Sequence, residues 1–124
     1  MDRFLLRLSM NYPDAESEVE LLLDQPTDDP DFSLSAVMHR DDLIQLQMLV
    51  RHVNVDRKVA RYVVDLSAAT RRDSRLRVGC SPRGSKMLLR AAQARAALSG
   101  RTFVLPDDVS ALAVPVLSHR VSHR

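Results

Sequence analysis

The stretch Gly79-Cys80-Ser81-Pro82-Arg83 opens an Ala/Leu/Arg-rich segment that runs to Gly100. Its residue types suit the handling of an anion. Ser81 can cap a helix, because its hydroxyl accepts a backbone N–H that lacks an intrahelical partner. Pro82 fits the first helical turn, where the missing N–H costs nothing. Arg83 then stands as a permanent cation at the end of a helix whose dipole favours anions. A cation there is locally unfavourable, and a phosphate held against it removes the conflict. The competing reading is an ordinary helix start with a solvated arginine.

Other chemistry-bearing residues read more plainly. Arg83, Lys86 and Arg90 fall at i, i+3 and i+7, one basic stripe that a DNA-recognition helix or a solvated face would show. Val19-Glu20-Leu21-Leu22-Leu23-Asp24 superficially resembles a metal-binding Walker B strand. Its helical spacing, and Gln25 where a catalytic Glu belongs, make it a decoy. His39, His52, His119 and His123 lack the spacing and partners of a metal site and read as solvated or locally capping histidines. Cys80 has no base beside it and reads as a small buried residue.

The elements that must position these residues follow from composition and period. With 124 residues, 45% hydrophobic and 27% charged, the chain is one globular domain, or one domain with an appendage. Aromatics make up 4% and Trp is absent, so a Leu/Val/Ala core suits helices better than a β-sandwich. The net charge of +2 hides an asymmetry: residues 1–42 hold 11 acids against 3 bases, and residues 43–124 hold 5 acids against 15 bases. Sixteen of the 18 cations are Arg, the side chain best suited to bidentate phosphate or carboxylate pairing. Cys80 is the single cysteine, which excludes an intrachain disulfide and suits a reducing compartment. Met1–Met10 lacks the apolar length of a signal peptide. No segment reaches the roughly 20 apolar residues of a membrane span. The expected location is the cytoplasm.

Phe4 to Met10, closed by Asn11-Tyr12-Pro13, is expected to be a short strand. A strand without a second strand marks the chain as a piece of a larger fold. Asp14 to Asp24 reads as a helix capped by Asp14, and Gln25 to Met38, with Pro26 and Pro30, as a linker. Asp41 to His52 forms a second helix. Val55, Val59, Tyr62, Val63, Leu66 and Thr70 line a third, ending near Arg71-Arg72. Arg77-Val78-Gly79 is a connector. A fourth helix runs from Ser81 to about Ser99 with Gly100 as its stop. Thr102-Phe103-Val104 is extended, and Pro106 opens a fifth helix that Pro115 is expected to kink.

Taken in order, Gly79-Cys80-Ser81-Pro82-Arg83, Arg90-Ala91-Ala92, Ala94-Arg95-Ala96, Gly100-Arg101, Val104-Leu105-Pro106-Asp107-Asp108-Val109 and His119-Arg120 resemble the lid subdomain of the MoxR family of AAA+ ATPases. Asp2-Arg3-Phe4-Leu5-Leu6-Arg7-Leu8-Ser9 with Tyr12-Pro13-Asp14 is similar to the end of that family's ATPase core. The resemblance covers nearly the whole chain, least well at 25–38. It implies an all-α bundle of four or five helices of the AAA+ lid type, with a short N-terminal strand left over from the core. The implied organisation is a core tail at 1–13, a connecting helix and linker at 14–40, and the lid at 41–124.

By the same resemblance, Arg83 is the sensor-2 residue that reaches the ATP phosphates of its own subunit, with Ser81 and Pro82 setting its helix start. Arg3 is the arginine finger, acting in trans on a neighbour's site, although so near the terminus it is expected to fray. ATP and Mg2+ are the implied cofactors of the complete protein. Its implied partners are an AAA+ core (its own or a separate one), a homo-oligomeric ring, and client proteins that it remodels. No Gly-x-x-x-x-Gly-Lys-Ser/Thr loop occurs, so the chain alone is expected neither to bind ATP strongly nor to hydrolyse it. His39 and Leu105 replace the Ser- and Thr-type caps of the family, so the starts of helices two and five are expected to be soft.

Two other classes compete: a stand-alone helical interaction module derived from the lid, and a basic DNA-binding domain. The scarcity of aromatics disfavours single-strand or RNA binding. Submicromolar duplex-DNA affinity with a steep salt slope would distinguish the DNA reading.

Overall fold

A computed structural model describes residues 3–23 and 35–124. Within them lie α1 (Ala15–Leu23), α2 (Arg40–His52), α3 (Arg57–Arg72), β1 (Leu76–Val78), α4 (Pro82–Leu98), α5 (Pro106–Leu117) and β2 (Ser122–His123), with a 3₁₀ turn at Ser118–Arg120 joining the last two. The all-α expectation holds, with a two-stranded sheet added. Met1, Asp2 and most of the expected linker lie outside the described residues.

The core forms where α4 packs on α5 and α3. Leu88, Ala92 and Ala96 of α4, Val109 and Val116 of α5, and Val59 and Val63 of α3 are buried. The alanine face of α4 lets its neighbours approach closely, which is why this segment needs small residues rather than more leucine. Cap chemistry sets the helix ends. Asp56 accepts from Lys58 N–H at 2.7 Å at the start of α3, and Asp14 accepts from Ser17 N–H at 2.9 Å before α1. Gly100, at φ 71°, closes α4. Its N–H reaches the Ala97 carbonyl, while Arg101 N–H reaches Ala96, both at 2.9 Å. This is the paired bonding of a Schellman stop.

The expected strand at Phe4–Met10 is not formed. No ladder partner for it exists among the described residues, and its backbone bonds to helix ends instead. Arg7 N–H donates to the Pro115 carbonyl at 2.8 Å. The strands that do form pair Leu76 with His123 and Val78 with Ser122, antiparallel. The supposed connector at Arg77-Val78 is therefore one edge of a small sheet. Val19–Leu23 is helical, in keeping with the decoy reading of that stretch.

The expected soft starts of α2 and α5 are firmer than cap identity suggests. His39 N–H donates to the Asp42 carboxylate at 3.2 Å and Leu105 N–H to Asp108 at 2.9 Å. These are the reciprocal halves of a capping box, and they operate without a hydroxyl at the cap. α5 continues two residues past Pro115 before tightening into the 3₁₀ turn. α2 buries no residue. It shares with α4 an apolar groove of about 530 Å³ lined by Leu43, Leu46, Val50, Ala94 and Leu98.

Candidate functional site

The Gly79–Arg83 stretch is held from three sides. The Thr70 hydroxyl, in the last turn of α3, accepts from Cys80 N–H at 2.9 Å and donates to the Ser67 carbonyl at 2.7 Å. Arg71 Nε donates to the Cys80 carbonyl at 2.6 Å. Gly79 passes so close to α3 that a Cβ would lie 2.6 Å from Arg71 Cα and 2.8 Å from the Thr70 carbonyl oxygen. Any side chain there would collide with backbone, and backbone cannot rotate away.

Ser81 performs its predicted role. Its backbone is extended and its hydroxyl accepts from Gly84 N–H at 3.3 Å. Pro82 is the first residue of α4, so Arg83 stands one residue further in, exposed on the first turn. Below it, Ser85 Oγ donates to the buried Ser67 Oγ at 2.8 Å, tying this turn to α3. Lys86 and Arg90 are exposed as well, so the basic stripe faces solvent. Cys80 is buried and its thiol lies 3.3 Å from the Ser81 carbonyl, a packing role rather than a reactive one.

Gly84 explains a third constraint. A Cβ on it would sit 2.4 Å from Cys80 Sγ and 3.3 Å from Arg120 Cδ. The stem of Arg120 therefore packs against the backbone next to Arg83. Arg120 is buried, and its guanidinium donates from Nε to the Val116 carbonyl at 2.9 Å and from Nη2 to the Phe4 carbonyl. His119 Nε2 meets the same Phe4 carbonyl at 3.0 Å. A carbonyl has no proton to give, so Nε2 carries the proton and donates it. Arg3 is the residue before Phe4 and is itself exposed. Its expected fraying is opposed one residue on, by two side chains gripping a single carbonyl.

An ionic cluster fixes α5 against α4. Asp108, buried at 2% exposure, accepts from both terminal nitrogens of Arg101 at 2.7 Å and from Arg95 Nε at 3.2 Å. Hydrogen bonding to Arg101 and to Leu105 N–H outweighs burial and holds its carboxyl at about 2.

An AAA lid domain family model matches residues 68–124. MoxR1, a chaperone of Mycobacterium tuberculosis, is 31% identical over 129 residues, covering 97% of this chain and 34% of its own length. The chain is an AAA+ lid region of the MoxR family. YeaC of Bacillus subtilis is 40% identical over 121 residues, 98% of this chain and 38% of YeaC. The crystal structure of a Cytophaga hutchinsonii protein assigned as an ATPase shares the fold, with a TM-score of 0.81 at 24% identity over 99% of this chain and 40% of its own. The MoxR-type lid thus spans well under half the length of the relatives it matches.

In this MoxR-family lid, Ser81, Pro82 and Arg83 come together in one turn, whereas Arg3 is linked to the site region through Phe4, whose carbonyl Arg120 and His119 bond. Sequence reasoning includes His119-Arg120 in the family resemblance but reads His119 as a solvated or locally capping histidine and assigns Arg120 no role; His119 instead makes a long-range contact to Phe4. The available signal was a lone arginine shortly after the apolar run Val114–Leu117. Among the described residues no group of His, Cys, Asp or Glu could hold a metal, and no helix is long and apolar enough to cross a membrane.

Proposed function

We propose that this chain is the moving lid of a MoxR-type ATPase that couples ATP hydrolysis to chaperone-like remodelling of client proteins. The observation that carries the reading is Arg83 exposed on the capped first turn of α4, inside the segment matched by the lid family. A guanidinium there presents a planar donor fork to phosphoryl oxygens, and the helix N-terminus adds to the attraction. Arg83 is the sensor, acting on the nucleotide of its own subunit, with Ser81 and Pro82 fixing its turn. Arg3 is the finger, reaching a neighbour's nucleotide to stabilise charge in phosphoryl transfer.

The residues present suit a phosphate contact, not a metal shell. Mg2+ and the rest of the triphosphate belong to the ATPase core, residing in the cytoplasm. When bound, ATP supplies the phosphoryl group whose loss alters what Arg83 can grip. The lid converts that difference into rigid-body motion. We place the core tail at 1–13, the connecting helix and linker at 14–40, and the lid at 41–124; by itself the chain is inactive on ATP. The exposed apolar residues of α1 and α2, among them Leu22 and Leu49, suit burial in a homo-oligomeric ring.

Subunit mixing tests the division of roles. In a ring joining this lid to its core, Arg83→Ala and Arg3→Ala rings are each expected to lose at least about tenfold in turnover while keeping a measurable residue. Mixed, they create interfaces with an intact sensor on one side and an intact finger on the other, so turnover returns. A mixture no more active than its components refutes the cis and trans assignment.

A further inference from the structure

We infer that Arg120 is a positioning residue that couples the segment carrying Arg3 to the helix start carrying Arg83. This rests on the roles proposed above, but the coupling itself is built from contacts in the fold. Phe4 and Arg120 are 116 positions apart in sequence, and the guanidinium of the second donates to the carbonyl of the first. The stem of the same arginine packs beside Gly84, its Cδ 3.3 Å from where a Cβ would stand, next to Arg83. Its Nε is committed to the Val116 carbonyl, which fixes the orientation of the planar fork. His119 gives the Phe4 carbonyl a second donor, and Arg7 N–H bonds to the Pro115 carbonyl three residues further along. The N-terminal segment is therefore fastened to the end of α5 at Phe4 and again at Arg7.

The physical consequence concerns direction. Arg3 lies one peptide unit from the gripped carbonyl, and the backbone has only two soft dihedrals per residue. Any rotation of α4 and α5 together carries the Phe4 carbonyl with it and re-aims Arg3. A single buried side chain thereby links the phosphate contact on one subunit to the finger that the same subunit offers its neighbour. Arg120 touches neither nucleotide. It acts through the two residues that would.

Two measurements test this. On the chain itself, Arg120→Gln is expected to speed amide hydrogen exchange at Arg7 while Val63 and Leu88 stay protected; unchanged exchange at Arg7 overturns the coupling. In the ring, Arg120→Gln is expected to lower turnover by about tenfold with KM nearly unchanged, since small misplacements of a reacting group cost that much or more. Combined with Arg3→Ala, it should cause no further loss. Losses that multiply would mark Arg120 as merely structural and overturn the inference. If Arg120→Gln unfolds the lid, His119→Leu, which removes only the second donor at Phe4, replaces it in the same cycle: no further loss with Arg3→Ala supports the coupling, and multiplying losses overturn it. Normal turnover by Arg3→Ala would instead defeat the finger reading and the inference with it, whatever Arg7 exchange shows.

Discussion

Asp108 and Arg101 face each other as two parallel hydrogen bonds of 2.7 Å, with the carboxylate buried at 2% exposure and the arginine side chain 25% exposed. The pair closes the connection between α4 and α5, and Arg95 and Leu105 N–H take up the remaining acceptor capacity of the carboxylate. A buried charge so fully bonded resists removal of either member.

Asp108→Asn is therefore expected to destabilise the lid by about 2–3 kcal/mol, because two arginines lose their counter-charge while the cap bond to Leu105 can survive. Urea unfolding at neutral pH measures it. A loss below about half a kcal/mol would contradict the arrangement.

The same carboxylate gives a pH dependence with a definite sign. Its folded value of about 2 lies below the ordinary aspartate value of 3.8. Its contribution is therefore present in full above about pH 4 and is lost as pH falls towards about 2. The wild type should lose roughly 2 kcal/mol more than Asp108→Asn across that window. Parallel acid-unfolding curves would refute it.

Gly79 and Gly84 predict different rescue behaviour. Gly84→Ala drives a methyl into the buried Cys80 sulfur, costing about 1–3 kcal/mol. Adding Cys80→Ala should recover part of that loss. Gly79→Ala collides with the Arg71 and Thr70 backbone, so Cys80→Ala should recover nothing there. Thermal unfolding of the two pairs distinguishes the cases.

Gly100→Ala isolates backbone strain, because no atom lies within 4 Å of the added methyl. The φ of 71° alone should cost about 1 kcal/mol, read as a lowered midpoint in urea with an unchanged slope.

Much of the helical frame was legible because it rests on local signals. The period of Val59, Val63 and Leu66, the Ser81-Pro82 start and the Gly100 stop each carry their own physics, and α3 and α4 lie where those signals put them. The failures were non-local. Phe4–Met10 has a strand's pattern but no ladder partner among the described residues. Leu76–Val78 is too short to read as a strand until Ser122–His123 arrives beside it. The soft starts expected at His39 and Leu105 overlooked the aspartates three residues on, though Asp42 and Asp108 were in plain view. Arg83 could be singled out from its neighbours in sequence, but Arg120 acquires a role only when residues 4, 84 and 116 meet around it.

The most direct test of the lid reading is ATP turnover by the ring with Arg83→Ala, compared with Arg83→Lys. The alanine variant should lose at least about tenfold in kcat, as expected when a preorganised donor to transferring phosphate is removed. The lysine variant should recover only part, since an ammonium lacks the planar fork. Wild-type turnover by Arg83→Ala would contradict the assignment.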